Sequence, residues 1–384
     1  MRWPRRDSWL TAAQVSFAAI ALFALAIWGA ATFHPELEPG WQIAFQRYDC
    51  GHYAEIARNG YSYSDGSRSN VAFFPLFPLA IRVTHEASGL PYEACGALVS
   101  NIAFYVGMLY LVEYLRFIGV STSGAWLYAI FPTTFFFHIP YSESMFVCLS
   151  TATLISIRTL KSPWQVCLLC GLLTALRPVG VAFIPIAAGY TLHRLGTHNK
   201  LIPLYAILSA SGILVYACFL YVTFGDALAF ARTQQHWATR PHYGTFDKVM
   251  SLVSLEPIWA TYVPGSYHYW RRFGNDIPIL SFQFMNPLYF IFTMVLVVYG
   301  RWTKVISFGE FVTGAALLAI PYVTRGYEMT FNSQARFCTV VVPAFVTLAS
   351  VMTIRPGMYF FCLILEASLF ATYVYYYTLG RLYF

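Results

Sequence analysis

The sequence predicts an all-α polytopic membrane protein, and three observations carry that reading. Charged residues make up only 11% of the 384 positions, against about 25% in an ordinary soluble domain. Hydrophobic residues make up 58%, and the mean hydropathy is +0.55. The apolar residues gather in runs such as "LTAAQVSFAAIALFALAIWGAATF" at 10–33, long enough to cross a hydrocarbon core of about 30 Å.

That first run follows "MRWPRR", which has the look of a signal-peptide n-region. Its length, and the lack of a small-x-small cleavage site before a soluble domain, favour a retained helix. Further runs fall near 94–115, 124–140, 143–157, 164–192, 201–225, 279–300, 305–323, 337–353 and 357–377. The 164–192 run is too long for one ordinary span and is interrupted by Arg177-Pro178. Proline removes a helical hydrogen bond, and an arginine at membrane depth needs a partner or water, so two short, bent helices are expected to meet there. The count comes to about eleven crossings. Residues 71–83, "VAFFPLFPLAIRV", are apolar but too short to span. They suit an interfacial or re-entrant helix, with Tyr53, Tyr61, Tyr63, Phe73, Phe74 and Phe77 at headgroup depth.

Orientation follows from lysine and arginine in the short loops. With Arg2, Arg5 and Arg6 in the cytoplasm, Arg116, Arg158, Lys161, Arg194, Lys200, Arg301, Lys304 and Arg355 also face the cytoplasm. The long loops, 34–93 and 226–278, then lie outside, joined there by the turns near 140, 177 and 325–336. Residues 1–384 read as one integral membrane unit carrying those two loops. No internal repeat or low-complexity linker is apparent.

The formal net charge is +7, but the basic residues are dispersed between spans, which argues against nucleic acid as a partner. Anionic headgroups or a phosphate-bearing lipid fit better. Of the eight cysteines, Cys148, Cys167, Cys170, Cys218 and Cys362 lie inside apolar runs, where a thiol behaves as a small hydrophobe. The Cys167-x-x-Cys170 spacing lacks the βαβ context of a redox motif.

Polarity collects on the external side. "FQRYDCGHYAEIARNGY" crowds Arg47, Asp49, His52, Glu55 and Arg58 into the first loop. Asp49 admits two readings: a partly desolvated general base beside arginines, or an N-cap for the helix that follows. His52 and Glu55 share roughly its helical face, but no second ligand cluster at metal spacing supports a metal site. In "IPYSESMF", Glu143 either serves function or complements the dipole of the next helix. Arg177 is costly at membrane depth and suits a cavity, and Arg336 either grips a phosphate or snorkels to the interface. The second loop, "FGDALAFARTQQHWATRPHYG", adds Arg232, Gln235, His236, Trp237, Arg240 and His242, a mixture that suits sugar hydroxyls and phosphates but is common on wet loops.

"RYDCGHYAEIARNGY", "AFFPLFPL" and "YSESMF" together resemble the family of the eukaryotic GPI mannosyltransferase 2, PIG-V, and its prokaryotic relatives. "LRPVGV", "FGDALAFARTQQHW" and "SQARFCTVVVPAF" are further similar blocks, so the resemblance runs over roughly residues 40–345. It implies the fold of a GT-C glycosyltransferase, which takes a sugar, usually mannose, from a polyprenyl-phosphate carrier. It also implies that Asp49, in the first extracytoplasmic loop, is the catalytic base. Arg177 and Arg336 become candidates for the donor phosphate. Arg47, His52, Glu143, Gln235, His236, Trp237 and Arg240 become candidates for substrate binding. The expected reaction is inverting and metal-independent, with no cofactor beyond the lipid-linked donor. Its partners would be membrane lipids, a glycan, glycolipid or protein acceptor, and an accessory membrane subunit of the kind the eukaryotic relative uses. A flippase for a polyprenyl-linked glycolipid is the alternative; it would place alternating polarity near the midplane and a helix repeat. A noncatalytic partner subunit is the third, in which Asp49 would be replaceable.

Overall fold

The structure, a computed structural model, describes residues 5–36, 40–240, 244–273 and 276–382. Arg2 and His242, named above, lie outside the described residues. No strand occurs among the described residues, so the all-α architecture expected from the sequence is the one observed. In hydrocarbon each backbone polar group needs a partner within the chain, and a helix supplies it locally.

The chain opens with α1 (Arg6–Phe33), followed by α2 (Gly40–Gln46), α3 (Asp49–Asn59), α4 (Leu76–Ser88) and α5 (Tyr92–Phe117). Then come α6 (Gly124–Ala129), which continues as a 3₁₀ turn over Pro132–Phe137, α7 (Glu143–Arg158) and α8 (Pro163–Leu176). Arg177 caps α8 in an extended conformation (φ −154°, ψ 146°), the geometry that the following proline imposes. A 3₁₀ turn over Pro178–Phe183 leads into α9 (Ile184–Leu195), so the break falls at Arg177-Pro178. α10 (Ile202–Ser209) and α11 (Ser211–Phe224) follow, and the second long loop carries the short helices α12 (Ala229–Arg232), α13 (Thr245–Val253) and α14 (Glu256–Trp259). The chain ends with α15 (Phe282–Trp302), α16 (Phe308–Arg325), α17 (Gln334–Thr339), α18 (Val342–Met352) and α19 (Pro356–Thr378).

Five helical stretches among the described residues are long and apolar enough to cross a membrane: α1, α5, Ile202–Phe224, α15 and α19. The other apolar runs form shorter or broken helices packed among them. The helices turn large apolar side chains outward, Phe17, Trp28, Val222 and Phe361 among them, which suits a lipid surround. Small residues permit close helix crossings, as in membrane bundles generally. A Cβ on Gly212 in α11 would fall onto the α8 backbone at Ala175. The centre is aromatic: Tyr128, Phe135, Phe136, Phe137, Tyr141, Tyr373 and Tyr377 are all buried there.

Ion pairs form at both ends of the bundle. At one end, the Arg5 backbone N–H donates to Glu113 (3.1 Å) and Arg158 grips Glu310 through two hydrogen bonds of 2.8 and 2.5 Å. At the other end lie the start of α3, the start of α7, the break after α8, the end of α16 and the start of α17. The candidate residues come from that second end.

Candidate active site

The site begins with a backbone kink. Tyr48 adopts φ 53°, ψ −128°, a conformation that normally favours glycine. Its hydroxyl donates to the Leu382 carbonyl (3.0 Å), anchoring the strained residue to the chain beyond α19. The kink makes Asp49 the first residue of α3, and its backbone N–H donates to the Tyr141 hydroxyl (3.3 Å). No side chain caps this helix. The Asp49 carboxylate reaches instead across the bundle to Arg336, whose Nη1 lies 2.6 Å from Oδ2. Capping therefore does not explain the aspartate.

Arg336, the third residue of α17, continues the connection. Its Nε lies 3.2 Å from Glu143 Oε1, and Arg177 Nη1 lies 2.6 Å from the same oxygen. Four residues from four parts of the chain thus form an alternating row: Asp49, Arg336, Glu143, Arg177. Side-chain exposure is 24% for Asp49, 8% for Arg336, 1% for Glu143 and 13% for Arg177, lowest in the interior of the row and highest at Asp49. The carboxylate at position 49 is the accessible end. Neither Glu143 oxygen receives a well-aligned hydrogen bond within the protein, so both keep acceptor capacity despite their ion pairs.

A third guanidinium joins them. Arg325, the last residue of α16, donates to the Gln234 side-chain oxygen (2.9 Å). The guanidinium carbons of Arg177, Arg325 and Arg336 lie 5.5, 5.3 and 5.2 Å from the centre of the Phe337 ring. Burial pushes the Asp49 carboxyl up, but the charge and hydrogen bond of Arg336, with His52 and Arg325 behind, outweigh it and hold the group below the usual carboxylate range.

An aromatic wall stands beside this row. The His52 ring stacks on Phe73 (4.8 Å between centroids) and meets Trp237 edge-on (5.6 Å). Arg68 lies over Trp237 at 5.0 Å and donates through Nε to the His236 carbonyl (2.9 Å). The first loop and the 229–238 segment therefore close on one another, and the buried Trp237 Nε1 has no hydrogen-bond partner.

Of the candidates from the sequence, Asp49, Glu143, Arg177 and Arg336 come together, with His52 and Trp237 alongside. His236 contributes its backbone carbonyl, and Gln235 is exposed. Arg47 lies two residues from Asp49 yet points away: its Nη2 donates to the Thr378 carbonyl (3.3 Å). Arg240 belongs to another cluster, within 3.2 Å of both Glu256 oxygens and 3.0 Å of His268 Nε2. Glu55 is exposed and accepts from Asn59 (2.6 Å). Among the described residues no three His, Cys, Asp or Glu side chains gather at metal-binding spacing. Sequence reasoning missed Arg325, Gln234 and Tyr141. A signal for Arg325 existed: an arginine at the same end of the bundle as the long loops is not needed by the charge bias that sets orientation.

No family model matches the chain, and no curated protein matches it. Among solved structures it is similar to the oligosaccharyltransferase of Archaeoglobus fulgidus. The apo crystal structure gives a TM-score of 0.48 at 15% identity over 100% of this chain and 57% of that one. The complex with zinc and sulfate gives 0.44 at 11% identity over 97% and 53%. This chain therefore spans little more than half the length of the archaeal protein.

Proposed function

We propose that this chain is a membrane glycosyltransferase of the GT-C class. It moves a sugar, mannose on the resemblance to the PIG-V family, from a polyprenyl phosphate to an acceptor hydroxyl on the extracytoplasmic side. The observation that carries the reading is the destination of the Asp49 carboxylate. It is spent on neither a helix cap nor a metal cluster but stands at the accessible end of a buried row of charge, against Arg336 and with Arg325 and Arg177 around the same Phe337 ring.

In this reading the acceptor oxygen gives its proton to Asp49 as it bonds to the anomeric carbon. The bond from that carbon to the phosphate oxygen breaks on the opposite face, so the configuration inverts. Negative charge grows on the departing polyprenyl phosphate, and fixed guanidiniums stabilise it without reorganising. A partner at 2.6 Å keeps Asp49 ionised but also lowers its basicity. Arg336 resolves the tension because Glu143 remains its partner when the proton reaches Asp49. The His52–Trp237 wall offers apolar ring faces to the sugar, and Glu143, buried behind Arg336, supports that arginine. The sidedness rests on the two long loops and the row sharing one end of the bundle. The about eleven crossings expected from apolar run lengths belong to the same proposal.

The test incubates purified protein with polyprenyl-phosphate mannose and candidate glycolipids or peptides, then identifies products by mass spectrometry. A mannosylated acceptor, absent with Asp49→Asn, is the expected result. Transport of the lipid without any product would favour the flippase and overturn the reading.

A further inference from the structure

We propose that Arg325 is the residue that seats the donor's phosphate, an assignment that rests on the glycosyltransferase reading above. The sequence directs attention to Arg177 and Arg336, but the structure commits both elsewhere. Arg336 serves two carboxylates, at 2.6 and 3.2 Å, and Arg177 holds Glu143 at 2.6 Å. Arg325 has no carboxylate within ion-pair distance among the described residues; its hydrogen bond goes to the neutral amide of Gln234. It nevertheless stands on the same Phe337 ring as the other two and is one of the charges that lower the Asp49 carboxyl. A cation in such surroundings normally pairs or lines a ligand cavity. Its guanidinium keeps donors over for two oxygens of one phosphate.

The charge balance identifies the class of phosphate. Three cations and two anions leave the group with a surplus of one positive charge. A sugar linked to a lipid through one phosphate is a diester with a single negative charge, which brings the occupied site to zero. When the acceptor's proton moves to Asp49, the protein gains one positive charge. In the same step, cleavage of the sugar–phosphate bond leaves a monoester with a second negative charge. The occupied site is neutral before and after, so the proton transfer creates no net charge at the membrane surface. A diphosphate-linked donor would bring two negative charges and leave the site one negative at the start. The pairing of Asp49 as base with Arg325 as counter-charge thus selects a monophosphate carrier.

The experiment uses the full chain in detergent and follows thermal unfolding with methyl farnesyl phosphate, a diester carrying one negative charge as the donor does, with farnesol, with methyl farnesyl diphosphate, which carries two, or with inorganic phosphate. Methyl farnesyl phosphate should stabilise the wild type more than the diphosphate does, and inorganic phosphate should have little effect. In Arg325→Gln the affinity for methyl farnesyl phosphate should fall about 10- to 100-fold, the loss of a charge-assisted hydrogen bond, while farnesol acts on both alike. Arg325→Lys, which keeps the charge, should recover part of the binding and controls for folding. Equal binding of methyl farnesyl phosphate by wild type and Arg325→Gln overturns the role of Arg325 and leaves the function standing. Tighter binding of the diphosphate overturns the charge argument. Inorganic phosphate binding as tightly as the lipid makes this a free-anion site and overturns the lipid-phosphate assignment. No binding of any isoprenyl phosphate by active wild type overturns the donor class itself.

Discussion

If Asp49 is the base of the proposed transfer, replacing Arg336 with glutamine should move the acid limb of that reaction upward in pH. In the wild type, burial raises the Asp49 carboxyl, and Arg336 at 2.6 Å is the first of the influences that bring it below the usual range. An opposite charge at such a distance is worth about 1–3 pKa units, and each unit corresponds to about 1.4 kcal/mol. Without that guanidinium, burial is opposed only by His52 and Arg325, so the carboxyl should rise by about 1–3 units. The base acts in its ionised form, so the rate falls as pH drops through its pKa. The wild type should therefore hold its rate down through the ordinary carboxylate range, and the variant should lose rate at a pH higher by that shift. Glutamine retains hydrogen-bonding capacity, and Glu143 keeps Arg177 at 2.6 Å, so the fold should survive the change. The assay is the single-turnover transfer rate against pH at saturating donor, where the profile is read rather than the absolute rate. An acid limb at the same pH in both proteins would refute the claim that Arg336 sets the protonation of the base.

Three further outcomes follow from the same geometry. Asp49→Asn keeps the shape of the side chain but not its proton affinity. Transfer should drop about 10²- to 10⁴-fold with the protein still folded, and near-normal transfer would remove the base assignment. Glu143→Gln leaves Arg177 without its anion in a buried row, which should cost about 3 kcal/mol of stability; a denaturant midpoint changed by less than about 1 kcal/mol equivalent would contradict it. His268 is pushed down to about 4, first by burial and then by the neighbouring Arg240. The unfolded chain takes up that proton from about pH 6.5 downward while the folded one does not, so stability should fall between about pH 6.5 and 4. His268→Gln should flatten that part of an unfolding-midpoint curve against pH, and an unchanged slope would assign it to other groups.

The parts of this architecture that sequence reveals are those with local causes. A run such as 10–33 becomes a membrane-length helix because each residue meets the same solvent. The break at Arg177-Pro178 follows from two adjacent residues alone. That Asp49, Glu143, Arg177 and Arg336 share one end of the bundle was legible through the alternation of the apolar runs. What sequence could not carry was which helix ends meet. Asp49 and Arg336 are 287 positions apart, and nothing near either one names the other. Arg47 shows the same limit at short range, because the kink at Tyr48 is held by Leu382, far along the chain. A tyrosine at positive φ gives no glycine-like signal. Gln235 and Gln234 differ by one position, and the helical turn over Thr233–Trp237 decides that the second is the one facing Arg325. Element existence is a local property; side-chain partnership is not.

That distinction explains why the row of charge is arranged as it is. A lone aspartate against a membrane surface would be raised by burial and protonated at the wrong pH to accept a proton. A lone aspartate–arginine pair would be ionised but too weak a base. Two carboxylates sharing Arg336 give it an alternative partner, so the guanidinium can release Asp49 without becoming an unpaired buried cation. Glu143, at 1% exposure, cannot reach the acceptor and is free to hold that role. Arg177 on its far side keeps Glu143 neutralised. On the proposed function, the chemistry at Asp49 depends on residues that never touch the acceptor, since Arg336, Glu143 and Arg177 set its charge state from behind.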